Sequence, residues 1–363
     1  MGIPTLEEVA RAAGVSRATA SRVVNGSTTV GQAARQAVNR AIDQLGYVPN
    51  RAARSLVTRR NDSIGVVIAE PTGRIFADPF FAEVLRGIGA GLAARHLQLV
   101  LVLCQTPEEE SRAERYLTGG HLDGVILFSL HGEDPLPEHL RSLGIPTVVG
   151  GSPPRGTGVT SVDNDNRGGA IAAVNHLIAQ GRSTIATVAG PPDMPAAVAR
   201  RVGYREALRA AGRTPDPALE EIGWFTREGG EEAMQILLDR RPDIDAVFAA
   251  SDLMAAGALS SLYANGRRVP QDVAIVGFDD SIIALSTHPP LSSVRQSMEQ
   301  MGRELVNVLL QSAASPGSVV RHVVLETELV VRESSAVGPV QRGERRGGRV
   351  ALPARLSEAV GES

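Results

Sequence analysis

Arg17, Ala18, Ser21 and Arg22 fall on one side of a short helical stretch whose other side carries Ala20, Val23 and Val24. A short, polar, basic helix face has the shape and charge needed to enter the major groove of DNA. A second set of chemistry-bearing residues lies downstream. Glu70, Asp78, Ser129, Asp252 and Asp279 follow apolar runs, and Arg200 and the lone tryptophan, Trp224, fall in connections between runs. Carboxylates, a guanidinium and an indole converging on one cleft suit a neutral polyhydroxylated ligand. Hydroxyls need both acceptors and donors, and a sugar face stacks on an aromatic ring. Taken singly, each aspartate reads as readily as the cap of the helix that follows it.

The elements that must position these residues are legible in turn. Thr5 followed by Glu8 has capping-box spacing and predicts a helix starting at Leu6, with Leu6, Val9, Ala10 and Ala13 on its apolar face. Gly14 supplies the left-handed stop, and Ser16 caps a second helix running to about Asn25. Two short helices have little core of their own, so a third is required. Gln32 to Leu45 supplies it, with Ala34, Val38, Ala41, Ile42 and Leu45 at helical spacing. The pattern is a helix-turn-helix. Charge agrees: residues 1–60 hold nine arginines against Glu7, Glu8 and Asp43, a net +6, whereas the whole chain is −3 and the remainder therefore −9. A phosphate-attracting field is thus concentrated at one end of a chain that otherwise repels nucleic acid.

After Arg60 the pattern changes to apolar runs alternating with amphipathic helices. Strands are predicted at Ile64 to Ala69, Gln98 to Cys104, Gly124 to Ser129, Thr147 to Gly150, Thr184 to Ala189, Ala246 to Ala250 and Val273 to Phe278. Such runs bounded by helices mark parallel sheets buried on both faces. The break near residues 150–163, GGSPPRGTG and its flanks, divides them into two doubly wound α/β subdomains, with a ligand cleft between them at the carboxyl ends of the strands.

Composition bounds the alternatives. The single cysteine, Cys104, excludes an internal disulfide and reads as a buried structural thiol. No apolar stretch reaches membrane-spanning length, and the first residues read as helix-turn-helix rather than as a signal peptide, so a cytoplasmic location is expected. An enzyme reading finds no support: there is no Walker loop and no nucleophile elbow, and the seven histidines lack metal-ligand spacing. Gly87, Gly89 and Gly91 lie in a helical stretch where close packing explains them better than phosphate binding. No cofactor or metal is expected.

Several ordered motifs together resemble the lactose/galactose repressor (LacI/GalR) family. They are TLEEVARAAGVSRATASRVVNGSTTV, YVPNRAARSL, ADPFF, SVDNDNRGG, Arg200 followed by Gly203 and Tyr204, AASDLMAAGAL and VAIVGFDD, spread from about Pro4 to Arg332. RSLVTRR, FADPFF and GGHLDGVILFSLHGEDPLP resemble, more narrowly, actinobacterial regulators of cellobiose and β-glucoside use. The resemblance implies a helix-turn-helix domain at 1–48, a hinge helix or linker at 49–60 and a periplasmic-binding-protein-like core at 61–333. Its N-subdomain would take about 61–162 and 292–325, its C-subdomain about 163–291 and 326–333. A disordered tail at 334–363, rich in Gly and Pro and without leucine heptads, argues for a dimer rather than a tetramer.

By position, the family pattern assigns base reading to Arg17, Ala18 and Arg22 and phosphate contact to Ser16, Thr19, Ser21 and Asn25. Ala18 stands where better-known members carry a larger polar residue, and offers only a methyl contact. Asn50, Arg51, Ala53 and Arg54 would line the minor groove or its phosphates, and Leu56 would wedge between base pairs. Asp78, Phe80, Ser129, Arg200, Trp224, Asp252 and Asp279 are the effector-contact candidates, and Asp280 reads as a helix cap. The implied partners are a palindromic DNA operator, a second copy of the chain and a small carbohydrate; the implied activity is repression relieved by that sugar. An effector- or corepressor-dependent activator and a stand-alone sugar-binding protein are the competing readings.

Overall fold

The computed structural model describes residues 4–48, 61–153, 156–315, 317 and 319–336. The chain opens with α1 (Leu6–Ala12), α2 (Arg17–Val24) and α3 (Gln32–Leu45). The capping box is formed: the Thr5 amide donates to Glu8 Oε2 at 2.7 Å, and the Glu8 amide donates to Thr5 Oγ1 at 3.3 Å. Gly14 turns the chain at φ +64°, and Ser16 Oγ accepts the Thr19 amide at 3.1 Å to start α2. Gly46, at φ +62°, ends α3. Val9, Ala10, Ala20, Val23, Val38 and Ala41 form the small core between them. Not every residue expected inside is covered: Leu6, Ala13, Val24, Ala34 and Ile42 are only half-buried and Leu45 is exposed, because three short helices enclose too little volume to cover their outermost turns.

The rest of the chain builds two sheets. It runs through β1 (Ser63–Ile68), α4 (Thr72–Ala77), α5 (Pro79–Ala93), β2 (Gln98–Leu103), α6 (Pro107–Thr118), β3 (Gly124–Phe128), α7 (Leu136–Ser142), β4 (Thr147–Gly150) and β5 (Thr160–Asn164). Then come α8 (Asn166–Ala179), β6 (Ile185–Ala189), α9 (Pro195–Ala210), β7 (Glu220–Ile222), α10 (Arg227–Arg240), β8 (Ala246–Ala249), α11 (Asp252–Ala264), β9 (Ala274–Asp279) and α12 (Ile282–Ser286). The last elements are β10 (Ser292–Arg295), α13 (Met298–Ala314), β11 (His322–Leu325) and β12 (Glu328–Val330). The first sheet has the order β11-β5-β4-β3-β1-β2 and is parallel throughout. The second, β12-β10-β9-β8-β6-β7, is parallel except for β12.

The chain passes between the sheets three times: after β5, after β10 and after β11. One expected boundary therefore moves, and so does the start of the tail expected to be disordered from 334, because Ser334 and Ser335 are wholly buried and hydrogen-bonded to Ile275 and Ser292. Ser292–Arg295, expected to begin the return to the N-subdomain, pairs in parallel with β9 in the second sheet, and the crossing follows it. The serines of this strand are wholly buried, and their polarity is absorbed locally: the Ser292 amide donates to Ser334 Oγ, and Ser293 Oγ donates to Asp252 Oδ1.

After that crossing α13 packs along α5 under the first sheet, with Gly87 and Gly302 at the point of closest approach. A methyl group on Gly87 would lie 2.1 Å from the Glu299 carbonyl oxygen, whereas one on Gly89 would meet nothing within 4 Å. Close packing thus accounts for Gly87, and for Gly91 against Val306, but not for Gly89. Gly87→Ala is expected to lower stability by about 1–3 kcal/mol through overpacking. Gly89→Ala should raise it by about 0.5–1 kcal/mol by restricting the unfolded chain. Urea unfolding of the two variants checks both signs. No helix among the described residues is long and apolar enough to cross a membrane.

Candidate functional site

The basic helix face survives folding. Arg17, Ala18 and Arg22 are exposed on α2, while Ala20 and Val23 hold its other side in the core. Arg17 Nε lies 2.7 Å from Glu7 Oε1 of α1, an exposed ion pair that is cheap to exchange for a base or phosphate. The polar residues around it are tied locally: Ser16 Oγ and Thr19 Oγ1 are 2.9 Å apart, and Asn25 Nδ2 donates to Ser21 Oγ at 3.3 Å. Asn50, Arg51, Ala53, Arg54 and Leu56 lie outside the described residues.

The second site lies between the sheets. A cavity of about 710 Å³ opens at the strand ends, walled by Glu70, Arg74 and His131 on one side and by Asp193, Trp224 and Phe225 on the other. Glu70, just beyond β1, is buried and accepts hydrogen bonds from Ser129 Oγ at 2.6 Å, from His131 Nε2 at 3.1 Å and from Arg74 Nη1. Burial pushes its pKa up, but His131, Arg74 and Ser129 together hold it below the ordinary glutamate value. The same Glu70 contact, against the opposing effect of burial and with help from Asp193, raises the pKa of His131. His131 Nδ1 reaches Asp193 Oδ2 at 2.9 Å, and the Gly132 amide donates to the Asp193 carbonyl at 2.9 Å, so this corner joins the two subdomains.

Behind the cavity a narrow recess of about 50 Å³ is lined by Asp78, Phe80, Ser129, Arg200 and Asp279, five of the seven residues expected to meet an effector. Arg200 is 4% exposed. Its Nε donates to Asn166 Oδ1 at 2.8 Å, its Nη1 donates to the Ala250 carbonyl at 2.6 Å, and the same nitrogen lies 3.5 Å from Asp279 Oδ1. The guanidinium sits 3.8 Å from the Phe278 ring centroid, a cation–π contact that offsets part of its desolvation. Burial lowers its pKa despite Asp279, Asp163, Asp78 and Asp252 around it. Burial likewise raises Asp279 well above the ordinary aspartate value, although Arg200 opposes this, and Gln296 Nε2 donates to Oδ1 at 2.6 Å. Asp78 caps α5 by accepting the Phe80 amide at 3.0 Å, and burial raises its pKa too. The Phe80 ring stacks on Phe128 at 5.4 Å.

Trp224 stands on the rim of the larger cavity, 56% exposed, and Phe225 lies between Arg74 and Arg200. Ser129, Trp224, Phe225 and Asp279 all have positive φ. Non-glycine residues hold that conformation at a cost, and such strain gathers where side chains must be aimed at a ligand.

Two expectations change. Asp252 lines neither cavity: it receives the Ser281 amide and hydroxyl and the Ser293 hydroxyl, at 2.8, 3.0 and 2.6 Å, and so ties α11 to the loop after β9 and to β10. Its acceptors are occupied by the scaffold. Asp280 does not cap α12, which Ser281 does; it pairs with Arg332 at 2.6 Å and Arg295 at 2.8 Å. Sequence reasoning missed Arg74, His131, Asp193 and Phe225. Arg74 alone carried a signal, its i+4 spacing from Glu70.

Comparison with known proteins decides what this pairing of sites is. Residues 5–50 match the bacterial regulatory proteins of the lacI family, and residues 174–335 match a periplasmic binding protein-like domain. The chain is 52% identical to the HTH-type transcriptional regulator CelR of Thermobifida fusca, over 91% of this chain and 98% of CelR. The chain belongs to the LacI family. Within it, the HTH-type transcriptional repressor CytR of Escherichia coli (strain K12) is 35% identical over 92% of this chain and 97% of CytR. The solved structure of a CelR–cellobiose complex, 50% identical, aligns with a TM-score of 0.73 over 91% of this chain and 99% of that one. A lac repressor dimer bound to operator and an anti-inducer, 26% identical, aligns with a TM-score of 0.83 over 93% and 100%. As in other LacI-family regulators, a helix-turn-helix DNA-binding domain precedes two parallel-sheet α/β subdomains, and the chain is a DNA-binding transcriptional regulator. Its matched relatives are regulators rather than enzymes.

Proposed function

We propose that this LacI-family regulator represses carbohydrate-utilisation genes in the cytoplasm, binding a palindromic operator as a homodimer and leaving it when a small sugar fills the cleft. Cellobiose, or another β-glucoside or oligosaccharide, is the best candidate. The observation that carries this reading is the wall of the 710 Å³ cavity, where Glu70, Arg74 and His131 face Asp193, Trp224 and Phe225. Charged acceptors and donors around aromatic surface fit a polyol with apolar ring faces. Inorganic anions would meet Glu70 and Asp193, and a purely apolar ligand would leave these groups unsatisfied. The similar CelR has been solved with cellobiose.

The deeper recess supports the same reading. With Arg200 Nε and Nη1 engaged by Asn166 and Ala250, Asp279 and Arg200 Nη2 offer an acceptor beside a donor, suited to vicinal hydroxyls. Asp252 braces this floor from behind. Coupling to DNA requires only that the sugar prefer the subdomain arrangement that binds operator poorly; by linkage the operator then weakens sugar binding by the same factor.

The test is an electrophoretic shift of a palindromic fragment from the gene's own upstream region, with and without cellobiose, maltose, galactose and ribose. Loss of the shift with cellobiose is expected. A strengthened shift would reverse the sign and make the sugar a corepressor. Trp224 fluorescence gives an independent readout, since the lone indole sits on the cavity rim: cellobiose should change it, and no response to any of the four sugars removes Trp224 from the site.

A further inference from the structure

A second cavity, about 670 Å³, adjoins the first and shares Ala69 and His131 with it. It lies at the carboxyl ends of β1, β2 and β3, where Ala69, Cys104 and Leu130 form its floor, and α6 and the β3–α7 loop form its sides. We propose that this annex is a second sugar subsite, which receives the units of a β-linked oligosaccharide that extend beyond the disaccharide held in the cleft. The proposal rests on the sugar reading above.

Position is the first argument. Strand carboxyl ends are where open α/β sheets bind ligands, and β1 lies between β3 and β2 in the sheet. The cleft and the annex therefore flank the end of the same strand, and a chain of rings can pass over Ala69 beside His131 from one to the other. Ala69 contributes only a methyl group to that boundary, and His131, held by Glu70 and Asp193, stands beside it.

Chemistry is the second argument. The floor of Ala69, Cys104 and Leu130 is apolar, with Val67 and Ala113 beside it, and suits the flat face of a pyranose ring. Hydrogen-bonding groups stand around it: Glu110, Ser111 and Glu114 on α6, and Glu133, Asp134 and His139 opposite. His139 Nε2 lies 3.1 Å from Glu114 Oε1 and closes the outer side by joining α7 to α6. Carboxylates without a matching set of arginines fit a ligand rich in hydroxyl donors and disfavour an anionic sugar phosphate. The division of labour follows: the cleft, which contacts both subdomains, reads the presence of the sugar, and the annex, built from one subdomain alone, reads its length.

The chain's single cysteine makes the test direct. Cys104 is buried in the annex floor, and burial, with Glu110 and Glu109, raises its thiol pKa, so modification is followed at alkaline pH with methyl methanethiosulfonate. Cellotetraose should slow the modification of Cys104 at saturation, whereas saturating cellobiose should leave the rate near that of the free protein. Ser111→Trp, an exposed change on α6 that narrows the annex, should weaken cellotetraose binding by about tenfold and cellobiose binding by less than about twofold. If cellobiose binds but both sugars protect Cys104 equally and Ser111→Trp affects both alike, the annex proposal is overturned while the cleft reading stands. If neither sugar binds the unmodified protein, the cleft reading itself falls and the annex with it.

Discussion

Replacing Arg17 and Arg22 together with alanine should remove sequence-specific DNA binding and leave thermal unfolding unchanged. Both side chains project from the exposed face of α2, and neither takes part in the core of Val9, Ala20, Val23 and Val38. Among the described residues, the side-chain contact at stake, Arg17 with Glu7, is an exposed pair worth at most about 1 kcal/mol. Alanine is also a better helix former than the residue it replaces. Against that small structural effect stands a large one on recognition. An arginine forked onto guanine O6 and N7 discriminates by about 1–3 kcal/mol per base, and in a two-fold dimer each substitution counts twice. Specific affinity should therefore fall by about a hundredfold or more at fixed salt, while weak nonspecific binding persists through the other arginines of the domain. Fluorescence anisotropy on operator and scrambled duplexes, over a salt series, separates the two. An equal loss on both duplexes would show that Arg17 and Arg22 contact only phosphates.

Much of this architecture is legible before folding, for reasons that differ by residue. The caps at Thr5 and Ser16 and the left-handed glycines are local devices, so spacing alone places α1, α2 and α3. The buried strands β1, β3, β4, β6, β8 and β9 are continuous apolar runs and declare themselves in the same way. The strands that escape notice are β7, with sequence EEI, and β10, with SSVR, along with β5, β11 and β12. β5, β7 and β10 are short and polar, while β11, HVVL, and β12, ELV, are apolar runs of only four and three residues, and the neighbours in the sheet make all five strands. The boundary at Ser292 is misjudged for this reason, since two wholly buried serines look like a loop until Asp252 and Ser334 are set against them.

The cleft shows the same limit. An aspartate at the end of an apolar run can line the recess, as Asp279 does at the end of β9, or brace other loops, as Asp252 does after β8; Asp78, expected just after a strand, instead follows α4, where it caps α5 and lines the recess. Nothing in the local sequence separates these three roles. His131 and Asp193 meet from separate subdomains, 62 positions apart, and no periodicity records that contact.

The largest loss of stability is expected from Arg200→Met. Met keeps most of the apolar stem but removes the donors to Asn166 and Ala250 and the buried positive charge that Asp279, Asp163, Asp78 and Asp252 share, leaving Arg74 to act on Asp78. Taking one partner from a buried ionic cluster costs about 3–5 kcal/mol, because the remaining charge is left without compensation. The sign of the pH dependence follows from the carboxylates. Asp279, Asp163 and Asp78 are raised above their ordinary values by burial, and Asp252 is raised to about 7. Groups raised in this way contribute stability that is full below their unfolded-state pKa and is lost as pH climbs through the folded-state value. Arg200 limits that loss by stabilising the ionised forms, so removing it pushes the folded pKa values higher still. The penalty should accordingly be smaller near about pH 5, where protonation spares the cluster and only the lost hydrogen bonds and packing remain, and should grow toward about pH 8. Adding Asp279→Asn should restore part of the stability at the higher pH, since the nearest uncompensated carboxylate is gone while an amide oxygen still accepts from Gln296 Nε2. Urea unfolding of the single and double variants at the two pH values tests this. A penalty of the same size at both, with no rescue by Asp279→Asn, would assign the role of Arg200 to its hydrogen bonds and its packing on Phe278 rather than to its charge.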